Sequence, residues 1–401
     1  MVLSVSQARK NFMALVQCSK AVEKVSLNRA LGRIVAKDVF ATVQVPPCDN
    51  SAMDGYAVNS ADLAGVPVTL PISQRIPAGA QTEPLMAGTA ARLFTGAPIP
   101  QGADAVVIQE HCEAQVDSVE IHQAASIGDN IRPAGQDIRI GDLITAQGQR
   151  LSAVDIGLLA SVGHAKVDVY TSLKVAIFST GDELANPGDA LKEGQIYNSN
   201  RAMLDALCQQ AGYETLDIGV VEDTLVATKS ALLQAAAQAD VIISTGGVSV
   251  GEEDHIRPAL EELGQLQHWK VQMKPGKPVV IGKVKETPFI GLPGNPVSAF
   301  VVFQILGLPV LQILQGEQVS QPCALEVPAG FSKAEVSREE YIRVRLNRDT
   351  GQPIAEIFDN QSSGVLFSLA WADGLVRQQI GQRIDVGDML EFLPFSKGNL
   401  L

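Results

Sequence analysis

The segment KVAIFSTGDELANPGDALKEGQIYNSNRAMLDALCQQAG (174–212) decides the fold class of the chain. It opens with KVAIFST, a largely apolar run that is typical of a strand buried on both faces. Asn198 is then a good helix N-cap, and Leu204 and Leu207 recur at helical spacing. Gly212 suits the end of a helix. The segment therefore predicts a buried strand, a polar loop and an amphipathic helix.

Strand and helix patterns keep alternating as far as about residue 312. The predicted strands are ETLDIGVV, DVIIST, KVQM, PVVIGKV and FIGL, and the predicted helices are TLVATKSALLQAAAQA, HIRPALEELG and PVSAFVVFQIL. Continuous apolar strands separated by helices predict a doubly wound, mostly parallel sheet with helices on both faces. We assign this central α/β domain to residues 171–315.

The sequence on either side of this domain is dominated by β patterns. Residues 1–170 begin with a helical pattern and continue as short extended runs broken by Pro and Gly, which predicts an elongated region with an inserted β domain at about 50–140. LSAVDIGLLASVG (151–163) predicts a helix that bridges two domains. In residues 320–401, YIRVRL alternates as a half-buried strand does, which predicts a small C-terminal β domain. The fold class is multidomain α/β plus β.

Length and composition exclude several classes of protein. A chain of 401 residues exceeds the roughly 250–300 at which single cores stop growing, so several domains are expected. A formal charge of −13 without a basic face argues against nucleic-acid or anionic-membrane binding. No run approaches the roughly 18 apolar residues of a membrane span, and no secretory signal is visible, so we expect a cytoplasmic protein. Five scattered cysteines indicate reduced thiols rather than disulfides or a zinc site.

Four unusual loops follow the predicted strands. Ligands of open α/β sheets bind beyond the carboxyl ends of the strands, so these loops meet at one edge. They contain Asp182 and Glu183, then Asp223, then GGVSVGEED (246–254), then PGNP (293–296). Any one loop is equally compatible with ordinary turns and caps, but four on one edge favour a binding site.

The two glycine-containing loops predict contacts to an anion. In PGNP, Asn295 suits the N-cap and Pro296 the first helical position, so the helix would direct its free amides at the loop that Pro293 and Gly294 begin. Gly246 and Gly247, with Ser249, let backbone approach a phosphate closely. Acidic residues stand where a Walker loop has Lys and Ser/Thr, and a GxGxxG fingerprint is absent.

The string Gly247–Gly251 also matches the GxSxG nucleophile elbow of α/β-hydrolases. That motif requires a helix that begins directly after the serine and a histidine far downstream. His268 is the one histidine beyond the adjacent His255. A serine hydrolase is therefore disfavoured.

The charged side chains divide into acids and lysines. Asp182, Glu183, Asp223 and Asp254 offer oxygen ligands without nearby His or Cys, which suits Mg²⁺ rather than zinc, although solvated surface acids have the same pattern. Lys270 and Lys274 share one face of a predicted strand, and Lys277 follows the next turn. Beside glycine loops these lysines are candidate anion contacts.

Seven strings resemble the molybdopterin molybdenumtransferase family, which includes MoeA and the E domain of gephyrin. They run in the family's order over nearly the whole chain and are SAMDGYAV, FTGAPIP, TGDEL, IYNSN, GGVSVGEEDHI, KPGKP and GLPGNPVSA. The resemblance implies N-terminal elongated and β domains, a molybdopterin-binding α/β domain and a C-terminal β barrel. It also implies an Mg²⁺-dependent transferase that takes adenylylated molybdopterin and molybdate and releases AMP and the molybdenum cofactor.

The same resemblance implies the positions of site residues. These are Asp54, Thr95, Glu183, Asp223, Asp254, Lys270, Lys274, Pro293, Pro296 and either Arg343 or Arg345. Glu183, Asp223 and Asp254 would position Mg²⁺ and water at the pyrophosphate, Asp54 would assist proton transfer near the molybdenum, and the lysines and the arginine would hold oxyanions. Ser363 is predicted as a further substrate contact, although its string (QSSGVLFSLAWADGL) departs from the family's pattern.

The resemblance further implies a homodimer with the site between subunits, so that Asp54 could act on the partner's α/β domain. Transient contacts with the adenylyltransferase and with proteins that receive the cofactor are expected as well. Two alternatives remain: molybdopterin adenylyltransferase activity, whose enzymes are much shorter, and a gephyrin-like scaffold role, for which a second fused α/β unit is missing.

Overall fold

The computed structural model describes residues 2–247, 255–319, 324–349 and 351–395. Ser249 and Asp254, both predicted site residues, lie outside these ranges. The domain boundaries assigned from the sequence stay a prediction.

Residues 2–170 contain two α-helices, three short 3-10 helices and a series of strands. The α-helices are α1 (Val5–Ala14) and α2 (Ala153–Ser161), and the strands are β1 (Val2–Leu3), β2 (Val22–Ser26), β3 (Val39–Phe40), β4 (Asn50–Ser51), β5 (Gly55–Val58), β6 (Val68–Ile76), β7 (Ala90–Leu93), β8 (Ala105–Ile108), β9 (Cys112–Ala114), β10 (Ser118–Ile121), β11 (Ile131–Arg132), β12 (Leu143–Thr145) and β13 (Lys166–Tyr170). A six-stranded sheet has the order β8-β5-β7-β6-β10-β9, and β2, β3 and β4 pair separately with β13, β12 and β11.

The central part of the chain contains a seven-stranded sheet. Its elements are β14 (Lys174–Thr180), β15 (Leu184–Ala185), β16 (Ile196–Tyr197), α3 (Ser199–Gln210), β17 (Glu214–Val221), α4 (Leu225–Gln238), β18 (Val241–Thr245), α5 (Ile256–Leu263), β19 (Gly264–Val271), β20 (Met273–Lys274), β21 (Pro278–Val284), β22 (Thr287–Leu292), α6 (Pro296–Val302) and α7 (Leu308–Gln315). The strand order in the seven-stranded sheet is β1-β19-β21-β22-β18-β14-β17, and its strands β22, β18, β14 and β17 are all parallel. The mostly parallel sheet is confirmed, and β21 is the antiparallel exception.

Alternation along β14 explains why helices cover both faces of this sheet. Val175 and Ile177 lie in a core shared with α3, α6 and α7, whereas Ala176 and Phe178 lie in a second core with α4 and α5. The first core also contains Phe12 of α1. The N-terminal helix therefore packs on the central sheet, and β1 extends that sheet at the edge formed by β19.

The helix ends follow the capping rules used to predict them. Asn198 accepts a hydrogen bond from the backbone N–H of Arg201, and Gly212 has φ +82° after the end of α3. Ser152 begins α2 with a capping box, and Gly163 has φ +84°.

The helix that runs from Pro296 to Gln315 corrects the expectation that no segment reaches the length of a membrane span. It has 20 residues, and an 18-residue stretch of it has a mean hydropathy of 2.1, but 72% of that stretch is buried inside the protein. Phe303–Gly307 is π-helical and joins α6 to α7. The apolar length is thus explained by burial in the core, where Val301 and Leu311 are fully covered.

The C-terminal part forms a small closed sheet. Its elements are β23 (Leu325–Pro328), β24 (Glu339–Asn347), β25 (Ile354–Ile357), α8 (Phe367–Trp371), β26 (Gly374–Gln378) and β27 (Met389–Pro394). The order is β20-β24-β26-β27-β23, with β25 on β24, and a bridge from Ala329 to Ala355 closes the barrel. β20 comes from the middle of the chain and pairs in parallel with β24.

YIRVRL forms a strand as predicted, but the prediction that its polar face is exposed is wrong for two of the three residues on that face. Ile342 and Val344 fill the barrel core as expected, but Tyr341 and Arg343 are 2% and 1% exposed. Tyr341 packs in the core of the central sheet, and Arg343 is covered by Ser368 of α8. Both faces of β24 are therefore buried up to Arg343, and Arg345 is the exposed member.

Candidate functional site

A cavity of about 600 Å³ lies where the loops after β18 and β22 meet the barrel. The first loop contributes Gly246 and Gly247, and the second contributes Pro293, Gly294 and Asn295. The turn from β20 to β21 and the barrel contribute the predicted residues Lys274, Lys277 and Ser363. The structure thus brings these predicted contacts together at the carboxyl edge of the sheet, where open α/β sheets bind ligands.

Glycine is required where the β18 loop crosses the end of β14. Gly246 has φ +89°, and a Cβ there would lie 2.7 Å from the carbonyl oxygen of Thr180. Gly247 has φ +62°, and its Cβ would lie 2.8 Å from Thr180 Oγ1. A larger residue would therefore displace the loop from the strand end. Bare backbone consequently faces the cavity.

The PGNP loop forms the helix start that the sequence predicts, but its side-chain cap is missing. Asn295 occupies the N-cap position with extended backbone and makes no capping hydrogen bond, and Pro296 follows in the first turn. The backbone N–H of Val297 instead donates to the carbonyl of Ser363 at 3.0 Å. The barrel thus closes one end of α6. Pro296 is not among the described residues that line the cavity.

Three cationic side chains line the cavity wall: Lys274, Lys277 and Arg338. Lys274 Nζ lies 3.3 Å from Oε1 of Glu340, and Arg338 donates to the carbonyl of Met273 at 3.3 Å. Sequence reasoning missed Arg338, together with Gln361, because they reach the cavity through the pairing of β20 with β24. The signal in the sequence was Arg338 itself, a basic residue three positions before the Tyr341 that begins YIRVRL.

The two arginines of YIRVRL lie elsewhere. Arg343 donates to Ser368 Oγ at 3.1 Å and to the carbonyls of Asn360 and Ser362 at 3.3 and 3.1 Å, and burial lowers its pKa to about 10. Arg345 pairs with Glu356 and stacks on the Trp371 ring. Neither arginine is among the described residues that line the cavity. Arg343 instead holds the loop that carries Ser362 and Ser363.

The predicted metal-binding carboxylates follow neighbouring parallel strands. Asp182 and Glu183 are exposed after β14, and the backbone N–H of Asp223, after β17, donates to Asp182 Oδ1 at 3.4 Å. Their oxygen-only donors and exposure fit Mg²⁺, which keeps several of its waters. Within the described ranges these acids do not form a compact set of possible metal ligands. The compact set among the described residues consists of Glu113, Glu120 and His122, at the far edge of the N-terminal sheet.

Asp54 and Thr95 meet in the N-terminal sheet region. Asp54 Oδ1 accepts hydrogen bonds from the Thr95 backbone N–H at 2.7 Å and from Thr95 Oγ1 at 2.9 Å. These bonds, the backbone one foremost, hold the pKa of Asp54 below its ordinary value. Neither residue is among the described residues that line the cavity, and Lys270, exposed on β19, is not one either.

These features define a multidomain α/β protein with a cavity lined by glycine backbone and cationic side chains, a lining suited to an anion. Family models match nearly the whole chain: the MoeA N-terminal region (domains I and II) at residues 3–163, a probable molybdopterin-binding domain at 176–313 and the MoeA C-terminal region (domain IV) at 327–395.

Relatives and solved structures agree with these matches. The chain is 40% identical to the molybdopterin molybdenumtransferase of Haemophilus influenzae over 79% of each chain, and 37% identical to molybdopterin molybdenumtransferase 2 of Mycobacterium tuberculosis over 88% of this chain and 89% of that one. A MoeA molybdopterin biosynthesis protein of Pyrococcus horikoshii superimposes with a TM-score of 0.82 at 32% identity, covering 98% of this chain and 99% of that chain. The chain belongs to the molybdopterin molybdenumtransferase (MoeA) family.

Proposed function

We propose that this protein inserts molybdate into adenylylated molybdopterin and releases AMP and the molybdenum cofactor. The observation that carries the proposal is the cavity, in which Lys274, Lys277 and Arg338 face the glycine backbone of two strand-end loops. A tetrahedral dianion is stabilised by such cations and amides, and an acidic protein needs local positive charge to bind it.

The adenylylated substrate extends from this cavity along the sheet edge. Its pyrophosphate approaches the loops after β14 and β17, where Asp182, Glu183 and Asp223 would hold Mg²⁺ together with Asp254. Bound Mg²⁺ supplies charge neutralisation for the pyrophosphate. Lys274, Lys277 and Arg338 orient the molybdate oxygens, and Gly246 and Gly294 allow the backbone to approach closely.

Asp54 completes the site from the N-terminal region, as an ionised carboxylate oriented by Thr95. We propose that the protein is a cytoplasmic homodimer. Asp54 of one subunit would then act at the site of the other subunit. Mixing Asp54→Ala and Asp254→Ala subunits should then restore part of the activity that each variant lacks. Mixtures as inactive as their parents would place the complete site within one chain.

The direct test is AMP release from adenylylated molybdopterin in the presence and absence of molybdate and Mg²⁺. We expect molybdate to stimulate AMP release and active cofactor to accumulate in proportion. AMP release that is independent of molybdate, or absent, would overturn the proposed function.

A further inference from the structure

Glu340 is a buried carboxylate behind the cavity wall. Its side chain is 2% exposed, and its two oxygens face two different lysines. Oε1 lies 3.3 Å from Nζ of Lys274, and Oε2 lies 3.4 Å from Nζ of Lys333. Of these described residues, Lys274 lines the cavity and the other two do not. Glu340 is thus one step removed from the ligand.

Strand pairing sets this geometry. β20 and β24 run in parallel with Lys274 opposite Glu340, so the lysine and the carboxylate leave neighbouring strands at matched positions. The contact also joins a residue of the central segment to the barrel. Glu340 is held on a buried strand and so offers a fixed partner, 3.3 Å away, to the ammonium of Lys274, whose side chain is 46% exposed.

Burial of Glu340 would be unfavourable without partners, since an ionised carboxylate loses its hydration. Two lysines, one near each carboxylate oxygen, offset part of that cost, and the trio contains two basic side chains for one acidic side chain. The cluster therefore still attracts an anion. An unrestrained lysine, by contrast, would have to be immobilised when the anion binds.

We propose that Glu340 is a positioning residue for oxyanion binding, which holds the ammonium of Lys274 at the cavity wall in the orientation that the anion needs. This inference rests on the proposed function for the nature of the anion. It assigns a role in ligand binding to a buried barrel residue that does not itself touch the ligand.

Simple charge arithmetic and positioning predict opposite results for Glu340→Gln. Removing a negative charge near the cavity should tighten binding of molybdate if only the net charge matters. Loss of the restraint on Lys274 should weaken it, and we expect the dissociation constant to rise about three- to tenfold, the range for one long side chain that must be ordered. Calorimetric titration with molybdate alone measures this directly.

Glu340→Asp provides a second variant without a change of charge, in case the glutamine variant folds poorly. It withdraws the carboxylate by roughly one methylene from Lys274 and should weaken molybdate binding in the same direction. Glu391→Gln is the matched charge control, because Glu391 pairs with Arg377 at 3.0 Å in the same barrel and does not line this cavity. It should leave the molybdate constant unchanged within twofold. Thermal unfolding of each variant separates loss of fold from loss of binding.

A double-mutant cycle with Lys274→Met decides between this inference and the proposed function. If Lys274→Met weakens molybdate binding and Glu340→Gln adds nothing in that background, Glu340 acts through Lys274. The positioning role is wrong if Glu340→Gln binds molybdate at least as tightly as the unmodified protein does. It is also wrong if Glu340→Gln weakens molybdate binding by the same factor in the Lys274→Met background as in the unmodified protein. If Lys274→Met itself has no effect, the proposed anion site fails, whatever Glu340 does.

Discussion

The two ends of the carboxyl edge of the central sheet carry opposite charges. Beyond β14 and β17 the loops present Asp182, Glu183 and Asp223, whereas beyond β22 and around β20 the wall presents Lys274 and Lys277. Between them lie the glycines of the β18 loop. One edge of a single sheet therefore separates a region suited to a cation from a region suited to an oxyanion.

The two ends also differ in how they are built. The acidic end consists of local strand-end loops of the central domain. The cationic end needs Arg338, Gln361 and Ser363 from the barrel, which reach it because β20 pairs with β24. A reaction between a substrate that contains a pyrophosphate and a separate, incoming oxyanion would use both ends at once.

The strongest test of the cationic end is the double variant Lys277→Met/Arg338→Met. Each charged contact to an anion contributes about 1.5–3 kcal/mol, so we expect molybdate-dependent AMP release to fall about a hundredfold or more. Lys283→Met, at the opposite end of β21, is the control and should retain full activity. A double variant with normal turnover would mean that this cavity does not bind molybdate.

The support of the cationic end by the barrel can be tested with the two arginines of β24. Arg343→Met leaves Ser368 Oγ and two carbonyls without their donor, and we expect the free energy of unfolding to fall by about 2 kcal/mol. Arg345→Met removes an exposed ion pair and should cost less than about 1 kcal/mol. Denaturant titration compares the variants, and equal losses would contradict the separate roles of these arginines.

At the acidic end, Asp223→Asn should raise the Mg²⁺ concentration for half-maximal AMP release about tenfold, because the proposed cation site would lose one charged ligand. Molybdate binding in Mg²⁺-free buffer should stay within twofold of the unmodified protein. A parallel loss in both measurements would show that the two ends do not act separately.

The smallest effect concerns the Asp54–Thr95 pair. The ionised form of Asp54 accepts a hydrogen bond from the hydroxyl of Thr95, so Thr95→Val should raise the pKa of Asp54. The hydrogen bond from the Thr95 backbone remains and should keep the increase modest. Any stability from this pair is present above the ordinary pKa of Asp54 and is lost as pH falls through the lower folded value. Titration of Asp54 by NMR checks the direction, and an unchanged pKa would assign the shift to the backbone alone.

Much of the central domain could be predicted from the sequence because its signals are local. KVAIFST has the apolar continuity of a buried parallel strand, and Asn198 and Gly212 mark the ends of α3. The rule that ligands bind at the strand ends predicts Gly246 and Gly294 as site residues. Lys274 and Lys277 are predicted from one face of a strand and the turn that follows it, beside the glycine loops.

The remaining residues depend on contacts that periodicity does not encode. Period two puts Arg343 and Arg345 on one face of β24, but it does not show that α8 covers the first and leaves the second exposed. Arg338 reaches the cavity through the pairing of residues 273–274 with 339–340, across more than sixty positions of sequence. Nor does the sequence show that α1 packs against the central sheet.

The position of β20 limits how this protein can be divided. A cut near residue 320 would separate β24 from β20, which covers its edge. The barrel fragment would then expose that edge, and exposed strand edges promote aggregation. The central fragment would in turn lose one wall of its cavity. The barrel is therefore no interchangeable module, and recombination between relatives should preserve activity best when residues 273–278 and 338–363 come from the same parent.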